Sequence, residues 1–304
     1  MELIVRQLLK IWGDLGIAPG WRYENIERFG LNLANDRVLT AYLPNGCIVS
    51  CDLQDHVQRH IYFWGVYEPI ESYLFTMILK DGMTVIDAGA NIGQYSIIAS
   101  TIVGDKGSVH SFEPVPSTFD QLQTNVLNNK LTNINLNQSA LYKENGTITL
   151  SLSEEMSRNI GSYSVGANNP KTAVKSSTMC LDDYISKQNI SKVNLIKMDI
   201  EGSEASALLG MTQTLKRDHP MLLIEINRLA LIKMNSSPEI LWSLLIDDLC
   251  YDAYLITVNS LQKVKSFSEI EQSNLLLIYK SYENDVITEW NYKNVLHWAK
   301  YGKK

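Results

Sequence analysis

Residues 83–100, MTVIDAGANIGQYSIIAS, constrain what this chain can fold into more than any other stretch. Val85 and Ile86 form the short apolar run of a buried parallel strand, and Asp87 follows. Gly89 and Gly93 bracket a tight turn, after which Ile92, Tyr95, Ile97, Ile98 and Ala99 recur at roughly helical spacing. Strand, glycine turn and helix in succession predict a doubly wound α/β sheet, with the turn at the carboxyl edge where small ligands bind.

Charge narrows the ligand. Dinucleotide sites use G-x-G-x-x-G so that backbone can approach a pyrophosphate at a helix N-terminus. Here three residues separate the glycines and an acid stands at the strand end. A carboxylate there opposes a pyrophosphate and attracts a ligand bearing an ammonium and a sulfonium, which favours S-adenosylmethionine over NAD. The plain alternative is a glycine turn that binds nothing.

The net charge is −6, and the sequence has no basic cluster beyond Lys303 and Lys304, which argues against a nucleic-acid footprint. Cys47, Cys51, Cys180 and Cys250 are scattered without metal-ligand spacing and read as reduced thiols. Arg6, Lys10 and Asp14 interrupt the apolar opening at amphipathic-helix intervals, unlike a signal peptide. No apolar run is long enough to cross a bilayer, so a cytoplasmic protein is expected.

Residues 1–35 read as helical with a loop. Val38 to Leu53 alternates around Pro44-Asn45-Gly46, a hairpin signal, and Pro69 suits the first turn of a helix ending near Gly82. Further strands are expected at Ser108–Phe112, Ile134–Leu136, Val193–Met198 and Met221–Ile226, with an edge strand at Thr147–Leu152. Helices are expected around Phe119–Leu127, Leu181–Ile185, Ala205–Leu215 and Ile240–Leu249. Tyr254–Val258 and Leu275–Tyr279 lie too close for a crossover helix and suit an antiparallel pair.

The chemistry-bearing residues gather at the predicted strand ends. Glu113 closes the second strand, where an acid accepts hydrogen bonds from ribose hydroxyls. Ser139 and Ala140, read as the end of the third strand, could edge an adenine. Asp199 and Glu201 follow the fourth strand; as helix N-terminal acids they would be unremarkable. Glu225 follows Leu222, Leu223 and Ile224, so partial burial and a raised pKa are expected.

Asp87-Ala88-Gly89-Ala90-Asn91-Ile92-Gly93, Phe112-Glu113-Pro114, Leu181-Asp182, Lys197-Met198-Asp199-Ile200-Glu201-Gly202 and Leu223-Ile224-Glu225-Ile226 occur in that order. Together they resemble the FkbM family of S-adenosylmethionine-dependent methyltransferases, and Gly65-Val66-Tyr67-Glu68 resembles a further family feature. The resemblance implies a seven-stranded Rossmann-like class I methyltransferase sheet, mostly parallel with the last strand antiparallel. The resemblance runs from about Gly46 to Lys280, and the chain is expected to divide into an N-terminal helical and hairpin cap over 1–66, the methyltransferase domain over 67–282 and an amphipathic helix over 283–304. The resemblance implies a cofactor site from Glu68, Asp87, Gly89, Asn91, Gly93, Glu113, Pro114, Ser139, Ala140 and Asp199. Asp199, Glu201 and Glu225 are the catalytic candidates, either as a base for a hydroxyl or as ligands of a possible divalent cation such as magnesium.

The implied reaction is O-methylation of a sugar, glycan or polyketide-type hydroxyl. A small-molecule or glycan acceptor is expected, with no nucleic acid and no membrane span, and a homodimer is a possible assembly. The alternatives are a non-catalytic S-adenosylmethionine-binding module and a nicotinamide-dependent oxidoreductase. Ser153 to Ser177 fits none of these motifs and is where acceptor contacts, or simply a mobile loop, are expected.

Overall fold

The computed structural model describes residues 38–152, 163–165, 169–257, 260–282 and 298. The expected helical opening over 1–35, most of the 153–177 segment before its final strand, and all of the terminal helix except Trp298 lie outside the described residues. Trp298 is buried, its ring 5.7 Å from that of Tyr73.

The chain starts with an antiparallel pair, β1 (Val38–Tyr42) and β2 (Ile48–Asp52), joined through the predicted turn. Asp55 caps helix α1 (His56–Trp64) by accepting from the Gln58 N–H at 2.9 Å, and Gly65 ends it in the left-handed region. Helix α2 (Pro69–Ile78) begins on a proline at its first position, where the missing N–H costs nothing. Its cap residue, Glu68, is itself left-handed at φ 49°.

Strand and helix then alternate through β3 (Thr84–Ala88), α3 (Gln94–Val103), β4 (Ser108–Phe112), α4 (Pro116–Asn128) and β5 (Ile134–Asn137). After an excursion into a second sheet, they resume with α5 (Leu181–Lys187), β10 (Leu195–Met198), α6 (Glu204–Leu209), α7 (Thr212–Asp218) and β11 (Met221–Asn227). Helices α8 (Arg228–Lys233) and α9 (Pro238–Trp242), and a π-helical turn over Ser243–Asp248, lead to β12 (Tyr251–Ile256), β13 (Leu261–Lys263) and β14 (Gln272–Tyr279). The main sheet runs β13-β12-β14-β11-β10-β3-β4-β5. Strands β5, β4, β3, β10 and β11 are parallel, and β14 inserts antiparallel between β11 and β12. This is the expected seven-strand frame, with the short β13 added at one edge.

Both faces of the sheet are covered, which is why its central strands are apolar without alternation. Val85, Val109, Leu195 and Leu223 face a core shared with α2, α3 and the β1–β2 hairpin. Ile86, Phe112, Ile196 and Ile224 face a second core containing Leu181, Leu208 and Leu245. The hairpin is bound in by side-chain amides of α4 and its C-cap: Asn125 accepts from the Ser50 N–H at 2.9 Å, and the capping Asn129 from that of Ile48 at 2.8 Å.

Three expectations are corrected. Ser139–Ala140 does not end the third strand of the main sheet. The chain leaves that sheet after Asn137, and β6 (Ser139–Leu141) pairs with β9 (Val174–Met179) in a second sheet ordered β6-β9-β7-β8. There β7 (Gly146–Ser151) lies between β9 and β8 (Ser164–Val165), so it is not an edge strand. The predicted helix 205–215 is broken at Gly210, whose Cα lies so close to the Tyr142 backbone that an added Cβ would overlap its carbonyl oxygen. Asp182 restarts the helix by accepting from the Gln213 and Thr214 N–H groups at 3.0 and 2.8 Å.

Gly210→Ala is accordingly expected to lower stability by about 1–3 kcal/mol, the usual cost of overpacking a site that cannot relax. Leu209→Ala, next to it but exposed, should stay within about 0.5 kcal/mol of the parent. Urea midpoints of the two variants test this, and equal midpoints would show that Gly210 is not a steric requirement.

Candidate functional site

Strand register builds the site. Ala88, Phe112, Met198 and Ile224 share one rung across β3, β4, β10 and β11, so Gly89, Glu113 and Asp199 leave the sheet side by side at its carboxyl edge, next to Glu225 on β11, which runs on against β14. The Gly89 and Ala90 N–H groups donate to the Phe112 carbonyl at 3.0 Å, and the Asp199 N–H donates to that of Ala88 at 3.1 Å. Gly89, at φ +80°, lies flat against the Asp199 carbonyl, where no Cβ fits. Asn91 takes the left-handed conformation at φ 50° and steadies itself by accepting from the Ile92 N–H.

A cavity opens at this edge. Of the residues expected from sequence, Glu68, Gly89, Asn91, Glu113, Pro114, Ala140, Asp199, Glu201 and Glu225 line it. Asp87, Gly93 and Ser139 do not. Asp87 shares the face of β3 that carries Val85, so its side chain enters the layer under α3, where Ser96 Oγ donates to it at 2.6 Å. Its second oxygen is buried and makes no hydrogen bond among the described residues. Gly93 packs against Leu122, which an added Cβ would strike at 2.6 Å. Ser139, in β6, is buried, and its neighbours Ala140 and Leu141 stand at the wall.

Five carboxyl side chains and one cation, Lys197, are the charged groups among the described residues lining the cavity. Lys197 comes from the middle of β10, opposite Asp87 in the ladder. Its Nζ is 3.0 Å from Asp199 Oδ2 and 4.7 Å from the centre of the Tyr95 ring. Burial disfavours the Lys197 charge, but Asp199, Glu68 and Asp87 outweigh it and raise the pKa. Burial also opposes ionisation of Asp199, yet the Lys197 ammonium and hydrogen bonds from Lys197 and Glu225 hold its carboxyl below the ordinary range. Glu225 goes the other way: burial, then the neighbouring Asp199 charge, push it up to about 9. The pair therefore holds one proton and one negative charge at neutral pH.

Glu113 is fixed from two sides, accepting from the Asn91 N–H at 3.0 Å and the Val115 N–H at 2.9 Å. Burial nevertheless pushes it up to about 7. Glu68 accepts from the Tyr95 hydroxyl at 2.9 Å and the Asn274 amide at 3.0 Å, which joins α2 to α3 and β14.

Sequence reasoning missed the supporting set. Lys197 carried a signal, since a lysine inside the apolar run Leu195–Met198 cannot reach water from a central strand. Gln94, Tyr95 and Gln272 carried none, because their roles depend on which elements meet. The other half of the cavity wall is apolar, with Val57 and Ile61 from α1, Ile148 and Leu150 from β7, and Tyr163 ahead of β8. Among the described residues no group of three or more His, Cys, Asp or Glu side chains is arranged to hold a metal ion. Nor is any described helix long and apolar enough to cross a membrane.

The family model of the methyltransferase FkbM domain matches residues 87–251. A hexuronic acid methyltransferase, AglP of Haloferax volcanii, is 33% identical over 130 residues, covering 43% of this chain and 50% of that protein. The 31-O-demethyl-FK506 methyltransferase FkbM of Streptomyces tacrolimicus is 26% identical over 212 residues, covering 58% and 77%. Methyltransferase 1 of Beauveria bassiana is 27% identical over 148 residues, covering 43% and 59%. The chain thus spans only about half the length of some of the curated relatives it matches. A crystal structure of a methyltransferase FkbM from Methylobacillus flagellatus aligns with 72% of this chain and 50% of its own, at 19% identity and a TM-score of 0.45.

Two buried acids give the fold a pH signature. Glu113 and Glu204 are raised, chiefly by burial, from an ordinary 4.5 to about 7. Between those values the unfolded chain has released both protons while the folded chain retains them, so unfolding releases protons and stability falls as pH rises. Asp199, held low, loses its contribution only at more acid pH. Urea midpoints are expected to fall from pH 4.5 to 7, and Glu204→Gln should flatten that slope. An unchanged slope in the variant would refute the assignment to Glu204.

Proposed function

The chain belongs to the FkbM-domain methyltransferases, and on that premise we propose that it transfers a methyl group from S-adenosylmethionine to a hydroxyl of a sugar, glycan or polyketide-type natural product. The observation that carries this reading is the meeting of the Gly89 turn, Glu113 and the Asp199–Glu225 pair around one acidic cavity at the strand edge. Five carboxyls against one lysine suit a cationic ligand and oppose a pyrophosphate, which disfavours a nicotinamide cofactor. Glu113, already oriented by two backbone N–H groups, would hold the ribose hydroxyls, with Pro114, Val115, Ala140 and Leu141 beside the base. Bound there, S-adenosylmethionine supplies a methyl group on a sulfonium leaving group.

Much of what remains is positioning and one proton. An alcohol must lose its proton as the new bond forms, and the Asp199–Glu225 pair retains one charge with which to take it. Two carboxyls already engaged with each other and with Lys197 favour direct base catalysis over a divalent cation, and Glu201 borders the same space. Among the relatives, one is named for a hexuronic acid and another for the 31-O position of FK506, which supports oxygen as the acceptor atom. A binding module without turnover would use the same cavity and yield no product.

Release of S-adenosylhomocysteine with a panel of sugars, uronic acids, glycolipids and polyketide alcohols tests the proposal. At least one acceptor is expected to drive turnover that a chelator leaves intact, with a rate that falls at acid pH as the pair takes up a second proton and loses its charge. Asp199→Asn and Glu225→Gln should each reduce turnover by about 10²–10⁴-fold while cofactor affinity, read by calorimetry, changes little. Wild-type rates in both variants would sink the base assignment. Gly89→Val should abolish cofactor binding in a folded chain.

The apolar wall is expected to choose the acceptor. Tyr163→Ala should change the ranking of acceptors in the same panel more than it changes cofactor affinity. An unaltered ranking would remove this segment from acceptor recognition.

A further inference from the structure

We propose that Lys197 is a positioning residue for the transfer: its ammonium anchors Asp199 from beneath the strand edge and keeps one negative charge on the Asp199–Glu225 pair, available to the acceptor. The inference rests on reading that pair as the proton acceptor, while the contact of Lys197 with Asp199 and its seat over Tyr95 are geometric. Lys197 projects from the central strand β10 with its side chain 4% exposed, so water cannot compensate its charge. Its Nζ makes the 3.0 Å contact with Asp199 Oδ2 and sits over the Tyr95 ring, 4.7 Å from its centre, which fixes its place in the cavity wall.

A one-to-one structural ion pair would leave the surroundings neutral. Here Lys197 also faces Glu68 from the start of α2 and Asp87 from β3, with the Tyr95 hydroxyl of α3 tied to Glu68. Asp199 in turn faces Glu225 of β11, and its charge is felt by Glu113 after β4 and by Glu204 of α6. Glu201 adds its charge to that acting on Glu225. One cation thus offsets part of a large acidic excess, and it is placed nearest Asp199. Without it, the carboxyls would satisfy each other by taking up protons, and Asp199 would hold one. The acceptor would then meet a neutral pair with no base.

The test uses the full chain without ligand, with aspartate carboxyl carbons labelled for NMR titration. In the parent, Asp199 is expected to stay ionised to the lowest pH at which the chain is folded. In Lys197→Met it should titrate at clearly higher pH, with turnover at pH 7 reduced about 10²-fold and the rising limb of the pH–rate profile displaced upward. Lys197→Arg keeps the charge and should restore much of both. A merely structural role would lower the rate at every pH without moving the profile, and that result, or an Asp199 titration unchanged in Lys197→Met, overturns the proposal. If Lys197→Met does not fold, Lys197→Met with Asp87→Asn removes an acid along with the cation, and the same titration decides. A displaced titration in a chain that turns over no acceptor refutes the reading of the reaction and leaves the hold of Lys197 on Asp199 intact.

Discussion

The architecture of the site depends on one close approach of backbone to backbone. Gly89 rests on the carbonyl of Asp199, so the turns leaving β3 and β10 touch with nothing but hydrogen between them. Strand register brings the two segments to the same height, and the missing side chain lets them close. Were they held apart by a methyl group, Asp199 would move from Lys197 and the floor between Glu113 and Glu225 would open. A steric fact thereby sets an electrostatic one.

The electrostatics run against folding. Several carboxyls are buried around one ammonium, and burial raises most of them. Polar side chains take up part of the strain: Ser96 on Asp87, Tyr95 and Asn274 on Glu68, Gln272 on Glu225. Buried acids in such number are unfavourable in a chain without a ligand, and a cationic ligand would relieve them. Sites whose arrangement conflicts with stability are where function is to be sought.

How much of this was legible in the sequence depended on range. The strand–turn–helix unit at 84–103 could be read because its apolar run, glycines and helical periodicity all lie within twenty residues. The carboxyl-edge position of Glu113, Asp199 and Glu225 followed from strand ends alone. Sequence order puts Asp87 beside the glycine turn, whereas the two-residue alternation of β3 turns it toward α3. Ser139 and Ala140 read as a continuation of the third strand but belong to the second sheet, since a switch between sheets leaves no local mark when both segments are short strands. The break at Gly210 depends on the carbonyl of Tyr142, far away in the chain. Tyr95, Asn274 and Gln272 acquire their roles only when α3 and β14 arrive beside α2 and β11.

Asn125 gives the hairpin a further property. Fully buried, its amide donates to the Ile92 carbonyl at 2.9 Å while its oxygen accepts from the Ser50 N–H. One rigid planar group thus clamps the glycine turn to a strand that does not border the cavity. Any adjustment of the turn around a ligand is transmitted to β2 as a tug on a single amide. The exchange of the Ser50 amide hydrogen with solvent therefore serves as a remote gauge of that turn, readable without touching the cavity itself.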